Sequence, residues 1–127
     1  MTIKIRYVVH ENPELEDREL PAILGQALGM TFYKFIEKTL DKVKKEINGR
    51  CGKTLHVRCF RTKERKQGWC YKTGGGILPD IVLGFCGDVE DFEITLIHEL
   101  LHFFRWDEEM LEAKAKEIYK NGRTPDD

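Results

Sequence analysis

The sequence has no long hydrophobic segment, because charged residues interrupt each apolar stretch within a few positions. A transmembrane helix needs about 20 consecutive apolar residues, so we expect none and predict no contact with a membrane. The N-terminus also lacks the basic region, apolar stretch and cleavage site of a secretory signal peptide. These absences predict an intracellular, cytoplasmic protein.

Neither sign of charge predominates, since 21 Lys and Arg residues stand against 22 Asp and Glu residues and the net charge is −1. This balance argues against a general polyanion binder, and therefore against a nucleic-acid partner. Residues 50–72 are nevertheless rich in Lys and Arg and contain one acid, Glu64. We interpret this stretch as a solvated hairpin tip, with docking of an acidic partner or a phosphate backbone as the alternative.

Cysteines in close-spaced pairs such as C-x-x-C are also lacking, which argues against a cysteine-based zinc site. Asn and Gln are scarce while Lys and Glu are abundant, a balance typical of thermophile proteins, whose cytosols tolerate disulfides. If the cysteines pair, we expect Cys59 and Cys70 first, because they lie on the two predicted arms of one hairpin. The four cysteines are Cys51, Cys59, Cys70 and Cys86.

The most informative segment that is present reads H-E-L-L-H at residues 98–102, inside a mostly apolar stretch from 92 to 104. This stretch predicts a buried helix, with Asp91 as its N-cap. Histidines four residues apart project from one helical face, so His98 and His102 can bind one zinc ion. Glu99 is placed to take a proton from a metal-bound water.

Apolar periodicity predicts one α+β domain over residues 1–122, followed by a disordered tail at 123–127. We expect one long helix, the motif helix and a final helix, packed on a mostly antiparallel four-stranded sheet. Residues 11–17 are interpreted as a polar turn. The predicted strands are 2–9, 55–60, 68–72 and 80–86, the long helix begins near 21 and stops at 48–49, and the final helix spans about 107–120.

A catalytic zinc usually has three protein ligands and one open position, so a further ligand must come from outside the motif. The final helix is rich in carboxylates, and two of them lie at the edge of its apolar side. Glu108 is closer to that apolar stripe and is our candidate third ligand. Glu112, one turn later, is the alternative.

The motif together with the acidic helix, residues 80–119, resembles a zincin metallopeptidase, specifically a compact gluzincin similar to minimal archaeal or phage-type zincins. The resemblance implies peptide-bond hydrolysis with His98, His102 and a glutamate of the final helix as zinc ligands and Glu99 as the general base. It also implies that a peptide or protein substrate pairs with an edge strand, the place that residues 80–86 occupy. The metzincin pattern H-E-x-x-H-x-x-G-x-x-H would place a glycine at 105 and a histidine at 108, where this sequence has Arg105 and Glu108.

Two other functions stay open. Residues 101–107 also resemble the H-G-x-L-H-x-x-G-Y-D-H pattern of bacterial endoribonucleases, which lack a counterpart of Glu99; a non-catalytic zinc-binding interaction domain is the other alternative. A peptidase would further need a group that stabilises the tetrahedral oxyanion. The candidates for that role, which the sequence does not rank, are His56, Tyr71, Arg105 and Tyr119.

Overall fold

The computed structural model describes residues 2–44, 54–71, 80–103 and 108–121; for 44, 71, 80, 103, 108–113 and 121 it describes the backbone alone. These residues form an α+β fold with five strands and four helices. In chain order the elements are β1 (Thr2–Val9), β2 (Asn12–Glu16), α1 (Leu20–Leu28), α2 (Phe32–Lys44), β3 (Thr54–Arg61), β4 (Gly68–Tyr71), β5 (Asp80–Phe85), α3 (Val89–Phe103) and α4 (Glu108–Asn121).

The five strands form one mixed sheet in the order β2-β1-β3-β5-β4. The central strands β1, β3 and β5 are parallel, whereas the outer strands β2 and β4 are antiparallel to their neighbours. The prediction of a mostly antiparallel four-stranded sheet is therefore wrong. The additional strand is β2, where a polar turn was expected: all five of its residues are exposed, so it lacks the apolar alternation by which a half-buried strand is recognised.

The predicted long helix is two helices, because the chain turns at Gly29. This residue ends α1 in the left-handed conformation, with φ of 70°, which glycine adopts without the steric cost of a side chain. Thr31 then begins α2, since its Oγ1 accepts a hydrogen bond from the Lys34 N–H at 3.2 Å. The predicted helix end at 48–49 and the predicted tail at 123–127 lie outside the described residues.

All four helices pack against one face of the sheet, which we call the covered face. Its side chains come from alternate residues of the three central strands and share one buried cluster with residues of every helix. We call the opposite side the open face. The covered face presents Ile3, Leu55, Val57, Cys59, Ile81, Leu83 and Phe85, and the open face presents Lys4, Arg6, Val8, His56, Arg58, Phe60, Trp69 and Val82.

Strands β3 and β4 are not a hairpin, because β5 lies between them. Residues 62–67 cross the end of β5, where the Gly84 N–H donates to the Gln67 carbonyl at 2.7 Å and the Thr62 N–H donates to the Phe85 carbonyl at 3.1 Å. A Cβ on Gly84 would lie 2.8 Å from both Gln67 Cβ and Thr62 Cγ2, so the crossing requires glycine there. The basic stretch therefore includes a crossover and is not a hairpin tip.

The same strand order separates Cys59 from Cys70. Cys59 is in register with Leu83, and Cys70 with Ile81, so β5 lies between the two cysteines. Two strand spacings amount to about 9–10 Å, beyond the roughly 7 Å limit between the Cα atoms of a disulfide. Both residues are free thiols, as is Cys86, and the expectation of a Cys59–Cys70 disulfide is wrong. Cys51 lies outside the described residues.

Among the described residues, no helix combines the length and the apolar character that crossing a membrane would require.

Candidate metal centre

Helix α3 carries the H-E-L-L-H run and begins at the end of β5. Asp88 is its N-cap: Asp88 Oδ1 accepts the Asp91 N–H at 3.2 Å, and the Asp88 carbonyl accepts the Phe92 N–H at 3.1 Å. The cap is therefore three residues before the predicted Asp91, which instead lies in the acidic first turn. The helix is held by apolar side chains that are at most 1% exposed: Phe92, Leu96, Ile97, Leu100 and Leu101.

His98, Glu99 and His102 come together on α3 as the sequence predicts. Their ligand atoms all lie within 4.8 Å of one another, and the two imidazole centroids are 4.6 Å apart with an interplanar angle of 70°. Two nitrogens that bind one zinc ion at about 2.0–2.1 Å are about 3.4 Å apart in a tetrahedral site. The three side chains are therefore close enough together that this group could hold a metal ion.

Burial distinguishes the carboxylate from the two imidazoles. Glu99 is 5% exposed, whereas His98 and His102 are half-buried. Removing a carboxylate from water costs free energy unless charge or hydrogen bonds compensate it. A cation held by the two imidazoles would supply such compensation, and the donor set of imidazole nitrogen and carboxylate oxygen suits a divalent transition metal.

The outer strand β4 contacts α3 directly at this turn. A Cβ on Gly68 would lie 2.6 Å from Thr95 Cγ2 and 3.2 Å from Glu99 Cγ, so β4 can approach the helix only because Gly68 has no side chain. Sequence analysis did not identify this residue as part of the site. A glycine inside a strand was the available signal, since it often marks a close backbone approach.

A cavity of about 430 Å³ opens beside the candidate metal ligands. Its walls come from the crossover residues 62–67, from β4, from α3 and from α4. His98 and Glu99 line it, and Lys116 contributes a cation from α4 that sequence analysis did not single out. The other lining residues are Arg65, Lys66, Gly68, Asp88, Glu90, Asp91, Ile94 and Thr95.

Acids at the N-terminus of α3 hold the crossover at the cavity rim. Arg65 Nη1 lies 2.8 Å from Asp88 Oδ2, and the Lys66 N–H donates to Asp91 Oδ1 at 3.1 Å. Lys66 has a φ of 58°, a backbone conformation that is uncommon outside glycine. The cavity wall is thus tied to the helix that carries the histidines and Glu99.

The third-ligand candidates lie in α4, which begins at Glu108. The side chains of Glu108 and Glu112 lie outside the described residues, so the choice between them stays a prediction. The same holds for two oxyanion candidates, Arg105 and the side chain of Tyr71.

The other two oxyanion candidates are described. His56 lies on the open face of β3, across the sheet from α3, and is therefore not part of the site. Tyr119 is 9% exposed and belongs to the core cluster. Neither is among the cavity-lining residues.

The position of the edge strand differs from the expectation. Residues 80–85 pair with β3 on one side and β4 on the other, so they are an interior strand. The outer strand beside α3 is β4, and no described strand pairs with its other edge. Any peptide that adds to the sheet at this end would meet β4, where Gly68 contacts the turn that carries Glu99.

No protein-family model, curated protein or solved structure matches the chain. The candidate metal centre comprises two half-buried imidazoles, a buried carboxylate that follows His98 and precedes His102 by three residues, and an adjoining cavity.

Proposed function

We propose that this protein is a zinc-dependent metallopeptidase that hydrolyses peptide bonds in peptides or proteins. The observation that carries the proposal is the convergence of His98, Glu99 and His102 within 4.8 Å on a turn of α3 beside a cavity. Two histidine ligands with a neighbouring carboxylate are the arrangement that a hydrolytic metal site requires, because the carboxylate can act on water without binding the metal.

Zinc is the proposed ion because it binds imidazole nitrogen and carboxylate oxygen in a tetrahedral site and has no redox chemistry. Its third protein ligand would come from α4, with Glu108 favoured over Glu112. Helices α3 and α4 pack against each other, and Ala115, Ile118 and Tyr119 of α4 belong to the same core cluster as the apolar side of α3. This packing supports a site completed across the helix pair.

Glu99 is the proposed general base. Bound zinc would lower the pKa of a water molecule toward about 7 and polarise the scissile carbonyl. Glu99 would then accept the proton of the attacking water and deliver it to the leaving nitrogen. Its 5% exposure supports this role, since shielding from bulk water limits the loss of the transferred proton to solvent.

The substrate would lie along the outer edge of β4. An extended peptide can add to an exposed sheet edge through main-chain hydrogen bonds, and Gly68 would bring its backbone next to Glu99. Lys116 lines the same cavity from the opposite helix. We propose it as the cation that stabilises the tetrahedral oxyanion, in addition to Arg105 and Tyr71, which stay candidates for that role.

The test begins with metal analysis of protein purified without added metal, followed by incubation of the zinc-loaded protein with a mixed peptide library read by mass spectrometry. Glu99→Gln should retain zinc and fold while losing at least about a hundredfold in cleavage rate. Glu93→Gln, an acid of the same helix that pairs with Lys42 at 3.0 Å, is the matched control and should cleave normally.

Two results would contradict the proposal. A Glu99→Gln variant that cleaves at the wild-type rate would show that Glu99 is not the general base. A zinc-loaded wild type that cleaves no peptide would leave a non-catalytic zinc domain, and cleavage of RNA alone would favour the nuclease alternative.

Lys116→Met should lower kcat with little change in KM, whereas Lys120→Met, on the same helix, should change neither.

A further inference from the structure

The open face of the sheet carries a row of cations that the strand register brings together. Lys4 on β1 lies opposite His56 on β3, and Arg6 lies opposite Arg58. Lys4, Arg6 and His56 are exposed, and Arg58 is half-buried. These basic residues, which are spread over more than 50 positions of the sequence, form one patch about two strands wide.

Aromatic rings continue this patch across the sheet. His10 stacks on Phe60 with centroids 4.4 Å apart, and Phe60 stacks on Trp69 at 6.0 Å. Phe60 and Trp69 are on β3 and β4, with β5 between them. Their rings meet because Gly84, the register partner of Phe60, has no side chain: a Cβ there would lie 3.0 Å from Phe60 Cζ.

Both ends of this aromatic strip are exposed, with Trp69 40% exposed at one end and His10 at the other, while Phe60 between them is 2% exposed. Trp69 is in register with Val82, which is in register with Arg58, so the indole lies in the same cross-sheet row as Arg58 and Arg6. A large aromatic ring and two guanidinium groups thus form one line perpendicular to the strands.

Two of the cations face each other across neighbouring strands. Like charges directly opposite each other on neighbouring strands are destabilising, and Arg6 faces Arg58 in this way. The acid nearest by register is Asp80 on β5, which lies opposite His56 in the row of Lys4 and not in the row of Arg6 and Arg58.

We propose that the open face binds single-stranded nucleic acid. Unpaired bases would stack on Trp69, and the phosphates would lie along Lys4, Arg6 and Arg58. The combination favours this ligand over other anions, because stacking uses the exposed ring while a basic track holds the backbone. In a duplex the base faces are already stacked on each other, so they are not available to stack on the indole.

This surface is separate from the candidate metal centre, which lies on the covered side of the sheet with α3. The net charge of −1 gives no sign of this basic patch, because its cations are distant in sequence and come together only through strand pairing. Binding to the open face therefore neither requires nor tests the proposed peptidase activity, and the Glu99→Gln variant should bind as the wild type does.

The experiment uses fluorescence anisotropy of a fluorescein-labelled 12-nucleotide oligouridine, titrated with the full-length protein. Lys4→Glu combined with Arg6→Glu should weaken binding at least tenfold. Lys34→Glu combined with Lys38→Glu on α2, which makes the same change in net charge on the helical side, should have little effect. Trp69→Ala should weaken binding about 5- to 100-fold, whereas Tyr33→Ala, an aromatic residue of similar exposure on α2, should not.

Salt dependence gives a second measurement. Three phosphate contacts to a single strand predict a slope of about −2 for the logarithm of the binding constant against the logarithm of salt concentration. The proposal is overturned if wild type does not bind at about 100-micromolar protein, the weak end of the usual range for non-specific binding. It is also overturned if both double variants weaken binding equally or if Trp69→Ala has no effect. Equal competition by polyglutamate would also overturn it and indicate an acidic protein partner. Circular dichroism confirms that each variant is folded.

Discussion

The two faces of the sheet come from the same strands but differ in almost every property. On the covered face, Val57 and Cys59 of β3 are at most 1% exposed and pack beneath helices. On the open face, His56 and Arg58 of that strand lie among cations and aromatic rings. Because successive residues of a strand point to opposite sides, one segment of eight residues contributes to two unrelated surfaces.

This difference separates two ways of building a site. Near the covered face, the candidate metal centre depends on a single helical turn, with ligand spacing visible in the sequence as four residues. On the open face, the basic and aromatic patch depends on pairing between strands that are distant in sequence. The first kind of site can be recognised in the sequence as a motif, whereas the second forms only when the sheet is assembled.

Among the predictions that test this comparison, the largest effect is expected on zinc affinity when the third zinc ligand is removed. Glu108→Ala should lower zinc affinity about as much as His102→Ala, by far more than the 10–100-fold typical of a residue that only supports a ligand. His56→Ala, an imidazole on the open face, is the matched control and should leave zinc affinity unchanged. Competition with a chromophoric chelator measures all three. Metal loss in Glu112→Ala with retention in Glu108→Ala would assign the ligand to Glu112.

The next largest effect concerns thiol reactivity within the covered side. Burial, followed by the nearby negative charge of Asp17, raises the pKa of the Cys59 thiol. The reactive thiolate is therefore scarce at pH 8, and we expect Cys59 to react with iodoacetamide at least about a hundredfold more slowly than Cys70 and Cys86, which are partly exposed. Peptide mapping by mass spectrometry resolves each site.

The labelling pattern can also contradict the strand order. Rapid modification of Cys59 in native protein would mean that β3 is not at the centre of the sheet. A Cys59–Cys70 disulfide would mean that these residues are neighbours, which β5 prevents in the observed order.

A smaller effect is expected where β4 meets α3. Gly68→Ala would place a Cβ 2.6 Å from Thr95 Cγ2, and overpacking of this kind typically costs about 1–3 kcal/mol of unfolding free energy. Thr95→Ser removes that methyl group, so the double variant should recover part of the loss. Urea unfolding of the two single variants and the double variant measures the coupling. Additive losses would argue against the close contact.

The parts of the fold that could be predicted are those with strong local patterns. The motif helix α3 and the central strands combine apolar periodicity with clear boundaries, and they lie close to their predicted positions. The exposed strand β2 has no alternation to detect, and the division between α1 and α2 depends on one glycine. Strand order was not predictable, because the position of β5 between β3 and β4 is decided by packing and by the space at Gly84.

The candidate site divides in the same way. His98, Glu99 and His102 are close in sequence, so helical geometry alone predicts that they converge. Gly68 and Lys116 reach the cavity from β4 and α4, and no local pattern relates them to the motif. His56 could not be excluded from the oxyanion candidates by sequence, because tertiary packing decides which face of β3 meets α3.

The smallest effect, on stability, is expected on the open face. Arg6→Thr removes a charge that lies opposite Arg58 and introduces a good strand former, so it should leave the unfolding free energy unchanged or raise it by up to about 1 kcal/mol. The same variant should weaken oligouridine binding, which separates function from folding at this residue. Urea unfolding and anisotropy on one preparation measure both quantities. A loss of more than about 1 kcal/mol would instead make Arg6 a structural residue, since exposed substitutions away from special features usually change stability by about 0.5 kcal/mol or less.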